Sequence, residues 1–261
     1  FSVYGNRKYF SDKNRGLILR LSQDGITPIS NYGMRDFFKD NLSLASKIYG
    51  SYDTHNQNYV LSLHGNNIDG NKGYKTVIFD EIINGWVSFH TYKPTFGGSL
   101  NNDFYTFNGI NLWRHYSEEV NMNTFYNVFD NINNASYVEF IVNESPSTVK
   151  TFSNIDYEGS DGWTMESSIT SYGDKAHKVY DSTIVYTDFD GSVKSAGFIK
   201  REGKYFSFLK NNASINPEEV ILGSSISGIK GFFTKVKMIC SGIRAKSNVE
   251  LFSVSHNVKA S

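Results

Sequence analysis

Between Tyr74 and Tyr116 the chain carries four short runs rich in aromatic and β-branched residues, each the length of a strand. Thr76 to Phe79 joins Trp86 to Tyr92 through a polar connection ending in Asn84-Gly85, a dipeptide whose two residues both tolerate positive φ, so the pair predicts a hairpin. Trp86, Ser88, His90 and Tyr92 share one face of the second run and Val87, Phe89 and Thr91 the other. Neither face is cleanly polar, which predicts a strand covered on both sides and a second layer above it. After a loop built from Lys93-Pro94, Gly97-Gly98 and Asn101-Asn102, the runs Phe104 to Phe107 and Ile110 to Tyr116 flank Asn108-Gly109 as a second hairpin. Two hairpins in roughly 40 residues fit one four-stranded propeller blade. An antiparallel meander in a sandwich or barrel uses the same turns and alternation.

The same rhythm extends in both directions. Tyr9-Phe10, the polar turn Ser11 to Gly16, and Leu17 to Leu21 form a hairpin-like unit closed by Asp24-Gly25. From Ser30 to Leu44 the period changes: Met34, Phe37, Phe38 and Leu42 recur every three or four residues, predicting a short amphipathic helix that caps the edge or base of a sheet. Strands resume at Lys47 to Tyr52 and Tyr59 to Leu63, and Gly65 to Gly73 reads as a long exposed loop. Thr124 to Phe129, Tyr137 to Asn143 and Thr148 to Phe152 follow.

Near residue 166 the Asn-rich loops thin out while Lys, Ser and Gly rise, so a second module is expected there. It holds strand candidates at Ser182 to Phe189, Ser195 to Lys200, Lys204 to Leu209, Gly231 to Ile239 and Val249 to Val254, with one helical turn announced by Asn216-Pro217-Glu218-Glu219. The expectation is an all-β chain with few short helices: propeller-like antiparallel blades over residues 1–165, then a small β-rich, barrel-like module over residues 166–261.

Composition agrees with strands: aromatics are 15% of 261 residues, Pro is only 4, and Gly and Asn supply the turns. Lys+Arg and Asp+Glu are both 26, so the surface as a whole is not a polyanion-binding one. The one cysteine, Cys240, lies in an apolar run and reads as a buried thiol. No apolar run approaches the roughly 18 residues a bilayer span needs, so the chain reads as soluble. It opens at Phe1 directly in strand-like sequence and reads as a piece of a longer polypeptide.

Glycoside hydrolysis needs two carboxylates about 5 to 10 Å apart. Asp53, Asp80, Glu81, Asp103, Glu118, Glu119, Glu139, Glu158 and Asp161 are candidates, but nearly all fall in expected turns, where acidic residues serve the backbone. Asp188 to Gly191 and Asn67 to Gly70 supply fragments of a calcium loop, for which a plain Asp-Gly turn is the simpler account. No nucleophile elbow, P-loop, dinucleotide fingerprint or zincin motif occurs. His55, His64, His90, His115, His177 and His256 are scattered singly, and the aromatic rows Trp86, Phe89, Tyr92 and Phe104, Tyr105, Phe107 read as core filling before sugar stacking. No catalytic, cofactor-binding or metal residues are assigned, and no cofactor.

Five phrases carry a family likeness: Arg15 to Leu42, Ile48 to Leu63, Asn84 to Pro94, Val149 to Trp163 and Phe198 to Lys210. Together they resemble the C-terminal part of tail muzzle or nozzle proteins of crAss-like and related tailed bacteriophages. The resemblance implies a structural component of the virion tail, not an enzyme, assembled with other phage tail proteins into a homo-oligomeric ring around the channel through which DNA passes. A carbohydrate-binding or glycan-cleaving module for a host-surface glycan is the alternative, and a cellular propeller scaffold a third reading.

Overall fold

The computed structural model describes residues 1–68, 73–117, 124–126, 131–133, 135–182, 185–187, 190–195, 197–212, 228–240 and 249–260. The chain is all-β, and it divides into two compact units, Phe1–Glu118 with Phe125–Ile132, and Glu119–Thr124 with Asn133–Ser261.

In the first unit β1 (Ser2–Tyr4), β2 (Arg7–Asp12), β3 (Leu17–Ser22) and β4 (Gly25–Pro28) form an antiparallel meander in chain order. A 3-10 turn over Ile29–Asn31 leads to α1 (Arg35–Leu44). A second four-stranded meander follows from β5 (Lys47–Asp53), β6 (Asn58–His64), β7 (Tyr74–Asp80) and β8 (Gly85–His90). A third, of three strands, is β9 (Phe96–Leu100), β10 (Asp103–Asn108) and β11 (Asn111–Arg114). Two short strands, β12 (Thr124–Tyr126) and β13 (Asn131–Asn133), pair with each other.

The hairpins at Asn84 and Gly109 form as expected, with φ of 57° and 62° at those residues. They do not, however, share one blade. The hairpin β7–β8 completes a sheet with β5–β6, whereas β10–β11 pairs with β9. Phe96–Leu100, expected as loop because of Gly97-Gly98, is therefore a strand. A Cβ on Gly97 would lie 2.8 Å from Ser51 Oγ, so this glycine lets β9 come close to β5.

The helix forms where the apolar spacing places it. Phe38 and Leu42 are buried in the main core with Tyr9, Ile18, Tyr59, Leu61, Val77 and Phe79, while Met34 and Phe37 pack on its margin. The ring centroids of Phe38 and Trp86 are 4.6 Å apart, and Trp86 Nε1 donates to Ile29 O at 2.9 Å, so helix, 3-10 turn and sheet are tied together. Ile68, in the segment expected as an exposed loop, is fully buried in this core; Gly65 N donates to Gly73 O and Gly73 N to Ile68 O, folding the described ends of that segment inward. On the opposite face of β5–β8, Val60 and Ile78 meet Phe104 of β10 and Tyr92. The middle sheet is thus covered on both sides at β6 and β7. The strand for which the aromatic pattern predicts double cover, β8, is instead the exposed edge: Val87 is 44% and Phe89 60% exposed, because the covering layers reach over β6 and β7.

The second unit contains β14 (Ser136–Val142), β15 (Lys150–Phe152), β16 (Asn154–Gly159), β17 (Thr164–Thr170), β18 (Val185–Thr187), β19 (Val193–Ser195), β20 (Ile199–Arg201), β21 (Lys204–Phe208), β22 (Ile229–Gly231), β23 (Thr234–Cys240), β24 (Leu251–Ser255) and β25 (Val258–Ala260). They pair as β14-β23-β17, β22-β15-β25, β20-β21-β16-β24 and β18-β19. None of these sheets closes on itself among the described residues. The core between them takes Met165, Val236, Met238 and Cys240 from one sheet, and Ile155, Tyr157 and Tyr205 from another. Phe152, Trp163, Phe198, Leu209 and Ile229 fill it out. A division after residue 165 would cut β17, which pairs with β23, and would part β16 from β21 and β24. Strand pairing therefore holds β15, β16 and β17 to β21 through β25, and the thinning of Asn-rich loops near 166 marks a change of loop composition within one unit. The helical turn expected at Asn216 to Glu219 lies outside the described residues.

Candidate functional site

Two joints in the first unit gather its polar chemistry. In the first, between β1–β4 and β5–β8, Glu81 follows β7 and its side chain is 3% exposed. Tyr9 Oη donates to its Oε1 at 2.6 Å and Arg20 Nη1 to its Oε2 at 2.8 Å, with Arg7 Nη1 at 3.3 Å. Two guanidiniums and a phenol thus compensate one buried carboxylate, which is what burying such a charge requires. Burial first, and then the hydrogen bond to Glu81, pushes the Tyr9 phenol well above its ordinary pKa. Tyr9 stacks on Tyr59 at 4.4 Å and Tyr4 on Tyr52 at 4.0 Å, completing a tyrosine ladder beside the ion cluster.

The second joint, between β5–β8 and β9–β11, is lined by hydroxyls and imidazoles. Period two places Ser62 and His64 on one face of β6 and Ser88 and His90 on the same face of β8. Ser62 Oγ lies 2.9 Å from both His64 Nε2 and Thr76 Oγ1, and Thr76 Oγ1 donates to Tyr92 O at 2.7 Å. With the Thr76 proton engaged there, Ser62 donates to Thr76. Burial first, and then nearby Lys93, lowers the His64 pKa. Ser88 Oγ is 3.0 Å from His90 Nε2. From the third sheet His115 Nε2 approaches Thr106 Oγ1 at 2.8 Å, and its ring lies 4.8 Å from Tyr92 and 4.9 Å from Phe104. Burial lowers its pKa to about 4.

Two Ser–His pairs invite comparison with a nucleophile and its base, but that chemistry needs a third group to orient the imidazole. Asp53, the buried carboxylate at the end of β5, is committed elsewhere. Its Oδ1 accepts from the His55 and Asn56 amides and its Oδ2 accepts the Tyr116 hydroxyl at 2.7 Å. Tyr116 stacks on His55 at 4.8 Å and holds a φ of 58°, a strained value for an aromatic residue, secured by that bond to Asp53. The arrangement closes a turn onto the end of the third sheet. The i, i+2 repeat of Ser and His is visible in the sequence as Ser62-Leu63-His64 and Ser88-Phe89-His90; only the fold shows that both face the same joint.

The other carboxylate candidates are also engaged locally. Asp80 Oδ1 accepts the amides of Ile82 and Ile83, Asp103 pairs with Arg114 at 3.1 Å, and Glu158 pairs across strands with Lys204 at 2.6 Å. Glu139 pairs with Lys235, and Asp161 accepts the Gly162 amide and the Ser182 hydroxyl. Glu118 and Glu119 lie outside the described residues. Asp190 caps the Ser192 amide, whereas Asp69, Gly70, Asp188 and Phe189 are not among the described residues, so neither calcium-loop fragment is represented whole. Among the described residues no group of three or more His, Cys, Asp or Glu is placed to hold a metal ion, and no helix is long and apolar enough to cross a membrane.

In the second unit the buried Lys150 donates to the carbonyls of Glu144 and Ser145. His256 Nδ1–H donates to Asn154 O at 3.0 Å, while its buried Nε2 has no partner. A proton added there would be an unpaired buried donor, and burial holds this imidazole at a pKa of about 4.

Residues 120–212, about a third of the chain and running from β12 to β21, match the family model of the Crassvirus muzzle protein C-terminal domain. A search of curated proteins finds no match.

Proposed function

We propose that this chain is a crassvirus muzzle-type structural protein of the virion tail and forms part of the wall around the DNA exit channel, as a ring of copies with no catalytic step of its own. The observation that carries this reading is the muzzle-domain match over residues 120–212. The geometry supports it physically. Stacked sheets tied together by a buried ion cluster and cross-sheet hydrogen bonds make a stiff element, and stiffness is what a conduit for DNA under pressure requires. Equal numbers of basic and acidic residues, 26 of each, keep the net field near zero, so phosphates slide past without the accumulated attraction of a basic surface.

In this reading the three meanders of the first unit are propeller-type blades. Their first strands β1, β5 and β9 run beside one another, as the inner strands of successive blades do. The second unit is a compact β module that contacts other tail proteins. Cryo-EM of the intact virion tests the proposal. Copies of this fold encircling the channel are expected; density for it on the capsid, or as an isolated subunit away from the channel, overturns the reading.

A further inference from the structure

All four histidines of the first unit, His55, His64, His90 and His115, lie at the joint between the middle sheet and the third. Register puts His64 and His90 on the face of β5–β8 that carries Val60 and Ile78, the face on which Phe104 packs. His55, in the turn after β5, lies 3.4 Å from Asn102 in the turn after β9, and His115 follows β11. The joint on the opposite face, built on Tyr9, Phe38 and Phe79, contains no histidine.

The two joints also differ in what holds them. Thirteen buried residues fill the first, and Glu81 with its two arginines ties it. Among the described residues the second has three, Val60, Ile78 and Phe104, with Tyr92 at their margin. Hydrogen bonds add to these: Ser99 Oγ donates to Tyr52 O at 3.1 Å and accepts the Thr54 amide at 3.0 Å, and the Tyr116 hydroxyl reaches Asp53. Local opening is favoured where so little apolar surface is buried.

His115 stands between the sheets, with Thr106 and Phe104 of β10 and Tyr92 of the preceding connection around its ring. The charged groups near it do not help it take a proton. His90 of β8 is a like charge once protonated, and Asp53 of β5 already accepts two amides and Tyr116. Asp103 and Arg114 pair with each other on the outer face of the third sheet. His64, beside Tyr49 and Tyr74, faces two cations, Lys93 and Lys47, and against them stands the Pro94 carbonyl, an acceptor just ahead of β9. A proton on His64, His90 or His115 is therefore held better once the sheets part and water reaches the ring.

We propose that this joint is an acid-sensitive seam: proton uptake by its imidazoles frees β9–β11 from the face of β5–β8, uncovering Val60, Ile78 and Phe104, while β1–β4 stays docked. The seam is a property of this chain alone and holds with or without a ring of copies. Below the ordinary imidazole pKa of 6.5 the open joint binds protons that the closed joint refuses down to about 4 at His115, so closure weakens as the pH falls between those values.

Hydrogen exchange read by mass spectrometry on the whole chain, near neutral pH and at about pH 5 with intrinsic rates corrected for, tests the seam. Protection of β9–β11 is expected to fall by at least about tenfold more than protection of β2, β3 and β6. His115→Gln, which can still bond Thr106, is expected to match the wild type near neutrality and to lose most of that difference in acid. His256→Gln, in the other unit, is expected to keep it. Third-sheet protection that falls only in step with the first two sheets overturns the seam on the wild type alone. So does a difference that persists unchanged in His115→Gln, or one that disappears with His256→Gln.

Discussion

His115 and His256 are each held neutral by burial, their pKa lowered from 6.5 to about 4, and this ties stability to pH with a definite sign. Between those two values the unfolded chain binds the protons that the folded chain refuses. Stability from these groups is therefore fully present above pH 6.5 and drains away as the pH falls through the window toward 4. At about 1.4 kcal/mol for each tenfold loss of proton affinity, discounted for partial exposure, each site contributes roughly 2 kcal/mol to the decline. Urea midpoints measured at steps down this range are expected to fall steadily, and a variant carrying both His115→Gln and His256→Gln is expected to show a clearly shallower decline. An equal decline in that variant would assign the acid sensitivity to other groups. The cause is atomic in each case: His256 Nε2 has no acceptor for a second proton, and His115 is walled by Tyr92 and Phe104.

Among elements, the joint between the first two sheets depends on one carboxylate. Glu81→Gln keeps the shape of the side chain but leaves Arg20 and Arg7 facing a neutral amide, and removing one partner of a buried ionic cluster costs about 3 kcal/mol. Arg15→Ala, which breaks the exposed Asp12 pair, is the matched control and is expected to cost no more than about 0.5 kcal/mol. Chemical denaturation of the two variants distinguishes a joint held by Glu81 from one held by the surrounding tyrosines alone. Elements of this kind were unequally legible in the sequence. The helix could be read because Met34, Phe37, Phe38 and Leu42 fix a period, and the hairpins because Asn84-Gly85 and Asn108-Gly109 fix local backbone angles. The grouping of hairpins into sheets is a long-range matter that no local signal carries. Gly97-Gly98 looks like a loop until Ser51 is seen pressed against it, and Asn154–Gly159 hides its strand character behind Asp156 and Glu158. Asp53 and Glu81 look like turn acids by position; only packing shows that one clasps a tyrosine hydroxyl and the other two arginines.

For the whole molecule, the separation of cores is decisive. The main core of the first unit draws on residues from Tyr9 to Phe79, that of the second on residues from Phe152 to Cys240, and the two share no member. Cooperativity in a β protein comes from side chains that lose their partners together, so each core is expected to melt as its own unit and the chain to show two calorimetric transitions. Truncation at the centre of either core identifies them. Phe79→Ala and Met238→Ala each open a cavity worth about 3 kcal/mol, and each is expected to lower one transition while the other stays within a degree or two. Within the first unit, the ion cluster at Glu81 links the outer sheet to the middle one, so Glu81→Gln is expected to move the same transition as Phe79→Ala and not the one moved by Met238→Ala. A single transition shifted by all three substitutions would mean that the cores are coupled strongly enough to unfold together.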